Sequence, residues 1–108
     1  MPFRALPLLA LVAFAPAALA QTLGSVNCKA SLREIDAVLK ATERKLESVR
    51  NSAGEETCSA MRVHVLTLER AGEIFGRCTE GGEREQKVGQ ADASAAGIRA
   101  EIAQSCGG

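Results

Sequence analysis

The chain has 108 residues, and its 13 basic and 13 acidic side chains give a formal net charge of zero. A balanced charge provides no broad electrostatic footprint for nucleic acid or anionic lipid. The sequence also has no Trp or Tyr and only three Phe, so it lacks the aromatic platforms on which nucleic-acid bases stack. We therefore expect no nucleic-acid partner.

The first twenty residues have the pattern of a secretory signal peptide. Arg4 supplies the positive start, residues 6–14 form an apolar core, and Pro16 is expected to end any helix there. Ala18-Leu19-Ala20 then matches the small-x-small cleavage pattern. The apolar stretch is shorter than the about 20 residues that a membrane span needs. We predict cleavage before Gln21, export of residues 21–108 to a periplasm or the extracellular medium, and no membrane insertion afterwards.

Three segments of the exported part carry apolar residues at the three- and four-residue spacings of a helix. Helices are predicted over residues 28–50, 55–77 and 83–105. Ser31 and Ser52, each followed three residues later by Glu, are expected to cap the first two helices. The predicted core seams consist of Cys28, Leu32, Ile35, Leu39, Thr42, Leu46 and Val49 on the first helix, Met61, Val65, Leu68, Gly72 and Phe75 on the second, and Val88, Ala91, Ala95, Ile98 and Ile102 on the third.

Short turns between these helices favour antiparallel neighbours. The sequence therefore predicts a small all-α, up-down-up antiparallel three-helix bundle. The third helix is rich in Ala and includes Gly89 and Gly97, and these small residues are expected to let it lie close to its neighbours. The main alternative is a helical hairpin that completes its core in a dimer.

Four cysteines in an exported chain favour two disulfides over free thiols. A helix of about 22 residues is roughly 33 Å long. In the predicted bundle Cys58 and Cys78 therefore stand at opposite ends of the second helix, too far apart to bond. The same reasoning separates Cys28 from Cys58. The remaining pairing joins Cys28 to Cys78 and Cys58 to Cys106, and both bridges are predicted to be structural.

His64 is the single histidine, and with Cys58 and Met61 it suggests a soft metal site. The three positions spread around most of a helix, so a regular helix does not aim them at one ion. A histidine at the edge of the core seam is the simpler interpretation. We predict no metal or other cofactor and no catalytic residues, because no serine, carboxylate pair or glycine loop has the spacing of a known motif.

A strip on the second helix exceeds what the core requires. Val63, Leu66 and Ile74 are apolar, yet the helical period places them away from the seam, among Arg70 and Arg77. An apolar strip flanked by arginines has the composition of a protein interface. The alternative is that the second helix contacts both neighbours over a wide arc, or that the aliphatic residues are scattered surface positions.

These features predict a non-enzymatic exported interaction module of the inhibitor, immunity, chaperone or accessory-subunit type. It would dock a helix face on a protein partner or on a second copy of itself. Two further hypotheses are a carrier of a metal or small ligand that uses the edge formed by Met61 and His64, and an enzyme whose site has no recognisable motif.

Overall fold

The protein folds into three helices joined by two short turns. The computed structural model describes the backbone of residues 5–52 and 54–107 and the side chains of residues 27–52 and 54–107. The helices are α1 (Ala5–Val49), α2 (Glu55–Cys78) and α3 (Gly81–Ser105), and no strand occurs within those ranges. The predicted all-α, three-helix bundle is confirmed.

The first helix begins much earlier than predicted. It starts at Ala5 and passes Pro16 without a break, whereas the sequence patterns placed its start at Cys28 or Ser31. The expectation that Pro16 would end a helix was therefore wrong. The residues around Pro16 are mostly Ala and Leu, which have high helix propensity, and a proline inside a helix removes one hydrogen bond without always ending the helix. Because Cys28 is bonded to the last residue of α2, the part of α1 that precedes Cys28 extends past the end of α2.

The turn between α1 and α2 is closed by a glycine and a threonine. Gly54 precedes α2 with a φ of 107°, a left-handed conformation that favours glycine. The Thr57 hydroxyl donates to the Val49 carbonyl at 2.6 Å and so satisfies the end of α1. The cap at Ser52 was predicted wrongly, because the N-cap residue of α2 is Gly54, two residues later, and no side chain caps the helix.

Helix α2 lies between the other two and packs along both. One core cluster joins α1, α2 and α3 near the α1–α2 turn, and a second joins α1 to the C-terminal half of α2. Among the described residues, the buried members of the first cluster are Leu46, Val49, Cys58, Ala60, Met61, Val65 and Ile102, and those of the second are Ile35, Ala71 and Ile74. Every predicted seam residue is buried or half-buried.

The predicted disulfide pairing is confirmed. Cys28 bonds Cys78 and Cys58 bonds Cys106, with Cα–Cα distances of 5.3 and 5.9 Å. One bridge ties α1 to the end of α2, and the other ties the start of α2 to the end of α3. The antiparallel arrangement is therefore fixed covalently along both helix pairs.

The close approach of α3 comes from alanines and not from its glycines. Ala91 and Ala95 are buried in the seam. A methyl group added at Gly89 or Gly97 would meet nothing within 4 Å. The expectation agrees with the burial of Ala91 and Ala95 and was wrong for Gly89 and Gly97, because both lie on exposed positions of the helix.

Candidate functional site

The most exposed large apolar side chains of the described residues lie together. Leu66 is 65% exposed, Val63 is 50% exposed and Val38 is 40% exposed. All three line one groove between α1 and α2. The sequence pattern indicated Val63 and Leu66, but it missed Val38, because a single aliphatic residue on the charged side of α1 forms no stripe of its own. Only the packing of α1 against α2 brings it beside the other two.

Ile74 does not belong to this exposed group. It is 5% exposed and packs with Ile35 and Ala71 in the second core cluster. Its predicted place on the outward strip was therefore wrong. The cause is that α2 contacts two helices, so its buried arc is wider than the seam and reaches Ile74 on the α1 side.

The two arginines of the predicted strip are exposed. Arg70 lines the groove beside Val63 and Leu66. Arg77 lies in the last turn of α2, beyond the residues that line the groove. The structure thus brings together Val63, Leu66 and Arg70, and it separates Ile74 and Arg77 from them.

We call this surface the outer groove, and it is formed by α1 and α2 alone. It consists of two depressions that share Val63 and together extend from Glu55 to Glu73 along α2. Buried parts of Ile35, Ala60 and Thr67 form its floor. The Thr67 hydroxyl donates to the Val63 carbonyl at 2.9 Å. This polar group in the floor is therefore already hydrogen-bonded within α2. The floor is thus apolar in effect.

Carboxylates outnumber cations along the outer groove. Its acidic residues are Glu34, Glu55, Glu56, Glu69 and Glu73, and its basic residues are Lys45 and Arg70. Glu69 also pairs with Arg99 from α3. Leu66 stands at the border of the groove, because it also lines a second depression between α2 and α3 with Arg62 and Arg99.

A different groove lies between α1 and α3, and we call it the inner groove. Its lining residues are Glu43, Leu46, Glu47, Arg50, His64, Ser94, Gly97, Ile98 and Glu101. Arg50 and Glu101 form an ion pair across it at 3.1 Å, and both side chains are about half exposed. An exposed pair of this kind contributes about 0–1 kcal/mol. The inner groove therefore has a polar rim.

His64 is held at the floor of the inner groove. It is 5% exposed, and its Nδ1 lies 2.6 Å from the Thr42 hydroxyl. The same hydroxyl lies 3.2 Å from the Leu39 carbonyl, and the imidazole tautomer decides whether its single proton serves that carbonyl or His64 Nδ1. Burial lowers the pKa of His64 below its ordinary value, the nearby Glu43 opposes this, and Arg50 adds to the lowering. A neutral imidazole is favoured at pH 7.

The edge formed by Met61 and His64 has the contacts of a packed core. Met61 lies in the first core cluster, while one His64 ring nitrogen is bonded to Thr42. Cys58 is bonded to Cys106 and supplies no thiolate. Within the described residues, no group of three or more His, Cys, Asp or Glu side chains is placed to hold a metal ion.

Comparison of the chain with protein-family models, with curated proteins and with solved structures finds no match. Across the part that the structure describes, no helix combines the length and apolar character needed to cross a membrane.

Proposed function

We propose that this protein is a non-enzymatic interaction module that acts outside the cytosol and binds a protein partner through the outer groove. The observation that carries this proposal is the clustering of Val38, Val63 and Leu66. Large aliphatic side chains that are scattered singly on a surface are ordinary. Three of them from two helices around one groove, over an apolar floor, form a continuous patch of the kind that marks interaction sites.

The core gives no reason for this patch. Both core clusters are complete without Val38, Val63 and Leu66. Covering apolar surface is favourable by about 25 cal/mol per Å². A partner that covers the patch would therefore gain binding energy that the isolated chain does not use for folding.

Export is supported by the covalent structure. All four cysteines are paired, and disulfides persist in oxidising compartments. Residues 5–20 of the predicted signal peptide lie in the part of α1 that extends past the end of α2. Its removal at Gln21 would therefore leave Cys28 and the interhelical packing in place.

The test is the variant Leu66→Glu. A carboxylate in a covered interface would be desolvated without a partner, so association should weaken by tenfold or more. At an exposed site the same change should alter the free energy of unfolding by no more than about 0.5 kcal/mol. Association is measured by sedimentation and by in-cell crosslinking, and folding is measured by thermal melting.

The matched control is Ala93→Glu, which adds the same charge on an exposed position of α3. It should leave both association and melting unchanged. A well-folded Leu66→Glu protein with the crosslinks and sedimentation of the parent would contradict the proposal. If Leu66→Glu unfolds while Ala93→Glu stays folded, Leu66 belongs to the core instead.

A further inference from the structure

We infer that the outer groove receives a cationic amphipathic helix of a partner protein. This inference rests on the proposed function, because it specifies the partner of the same surface. It goes further by naming the shape and the charge of the segment that binds.

The shape of the groove suits a helix. It is bounded by two antiparallel helices, and its apolar side chains come from both of them. From Glu55 to Glu73 its length along α2 is about 27 Å, which corresponds to roughly 18 residues of a helix supplied by a partner. Helices pack by inserting side chains into such grooves, and an amphipathic helix laid in an apolar groove is a recurrent mode of recognition.

The charge of the groove selects the partner. Glu69 is paired with Arg99, which leaves Glu34, Glu55, Glu56 and Glu73 against Lys45 and Arg70. Each end of the groove carries two of these carboxylates and one cation, Lys45 at one end and Arg70 at the other, while Val38, Val63 and Leu66 lie between the ends. A helix with an apolar face flanked by Lys or Arg would match this distribution, because complementary charges favour encounter and register.

A second copy of the chain matches less well. In a two-fold dimer the same patch meets itself. The acidic ends of two outer grooves would then face surfaces of like charge, which is unfavourable. The excess of carboxylates thus favours a basic partner over self-association.

The experiment measures binding of synthetic helical peptides to the oxidised protein beginning at Gln21. The probe is a peptide of about 18 residues with leucines on one face and lysines beside them. The comparison peptide has the same sequence with glutamates in place of the lysines. We expect the lysine peptide to bind at least tenfold more tightly than the glutamate peptide. Leu66→Glu should weaken its binding by at least tenfold, and added salt should also weaken it.

The charge contribution is isolated with the double variant Glu34→Gln, Glu73→Gln. This double variant should bind the lysine peptide severalfold more weakly than the parent does, and its melting temperature should stay close to that of the parent. The matched control is Glu47→Gln, which removes a carboxylate of the inner groove and should leave binding unchanged.

Three results would overturn the inference, and they separate it from the proposed function. If both peptides bind equally and both lose binding in Leu66→Glu, the outer groove is a docking surface, but its partner need not be cationic. Binding of neither peptide together with a dimer that Leu66→Glu dissociates would make a second copy the occupant. Binding of neither peptide by a monomer, with in-cell crosslinks that Leu66→Glu leaves unchanged, would reject both proposals.

Discussion

Ile74 and Leu66 are aliphatic residues of the same helix, and both lie outside its predicted core seam. Ile74 is 5% exposed, whereas Leu66 is 65% exposed. The difference comes from the neighbours. Near Ile74, α1 supplies Ile35 to cover it, while near Leu66 the gap between α1 and α2 stays open as the outer groove.

An aliphatic residue outside the core seam is either buried by a neighbouring helix, like Ile74, or exposed, like Leu66. The residue type alone does not distinguish these two environments. On the side covered by α1 such a residue extends the core. In the outer groove it remains available to a partner. The same helix therefore serves stability on one arc and, in our proposal, recognition on the other.

The largest expected effect is at the bridge between Cys58 and Cys106, which ties the start of α2 to the end of α3. The bridge closes a loop across 48 residues, and the chain-entropy argument assigns such a loop about 4 kcal/mol. The double variant Cys58→Ser, Cys106→Ser should lose about 2–5 kcal/mol of unfolding free energy in urea titration. A loss below about 1 kcal/mol would show that packing alone holds α2 against α3.

A smaller effect comes from truncating Ile74 and Leu66 separately. Ile74→Ala removes buried methyl groups and should cost about 2–3 kcal/mol, toward the lower end for core aliphatics because the bundle is small. Leu66→Ala should change stability by no more than about 0.5 kcal/mol. Urea unfolding of both variants gives the comparison directly. Equal losses would mean that the two residues have the same environment in solution.

The smallest effect concerns His64, the buried titratable group of the inner groove. Its pKa is lowered in the folded state, mainly by burial, so the unfolded chain takes up its proton first as the pH falls. The stability it contributes should be complete above about pH 6.5 and should be lost as the pH falls through the unfolded pKa toward the lowered folded one.

The measurement is the urea midpoint at about pH 7.5 and at about pH 5.5, for the parent and for His64→Gln. The parent should lose more stability on acidification than the variant. An identical pH dependence of the two proteins would show that His64 is not held neutral.

Most of the fold could be predicted from local patterns. The three- and four-residue spacing of Leu46, Met61 and Ile102 with their neighbours identified the helices and their buried sides, because a helix in water must cover its apolar stripe. Helix length then fixed the disulfide pairing, since Cys58 and Cys78 stand at opposite ends of α2. The start of α1 was missed, because Pro16 was expected to end any helix in that region, whereas α1 continues through it.

The candidate site was predicted only in part. Val63, Leu66 and Arg70 were found because they lie off the seam of α2. Val38 was missed and Ile74 was included wrongly, since both assignments depend on how α1 lies across α2. Periodicity describes each helix by itself and carries no information on the width of an interhelical contact.

The sequence by itself determined the class of fold, the seams and the cysteine pairing, because each follows from the 3.6-residue period, the helix length and the reach of a disulfide. Only the tertiary structure decided which off-seam residues are covered. That outcome depends on the approach of α1 to α2, which buries Ile74 beside Ile35 and leaves Val38, Val63 and Leu66 around an open groove with an acidic rim.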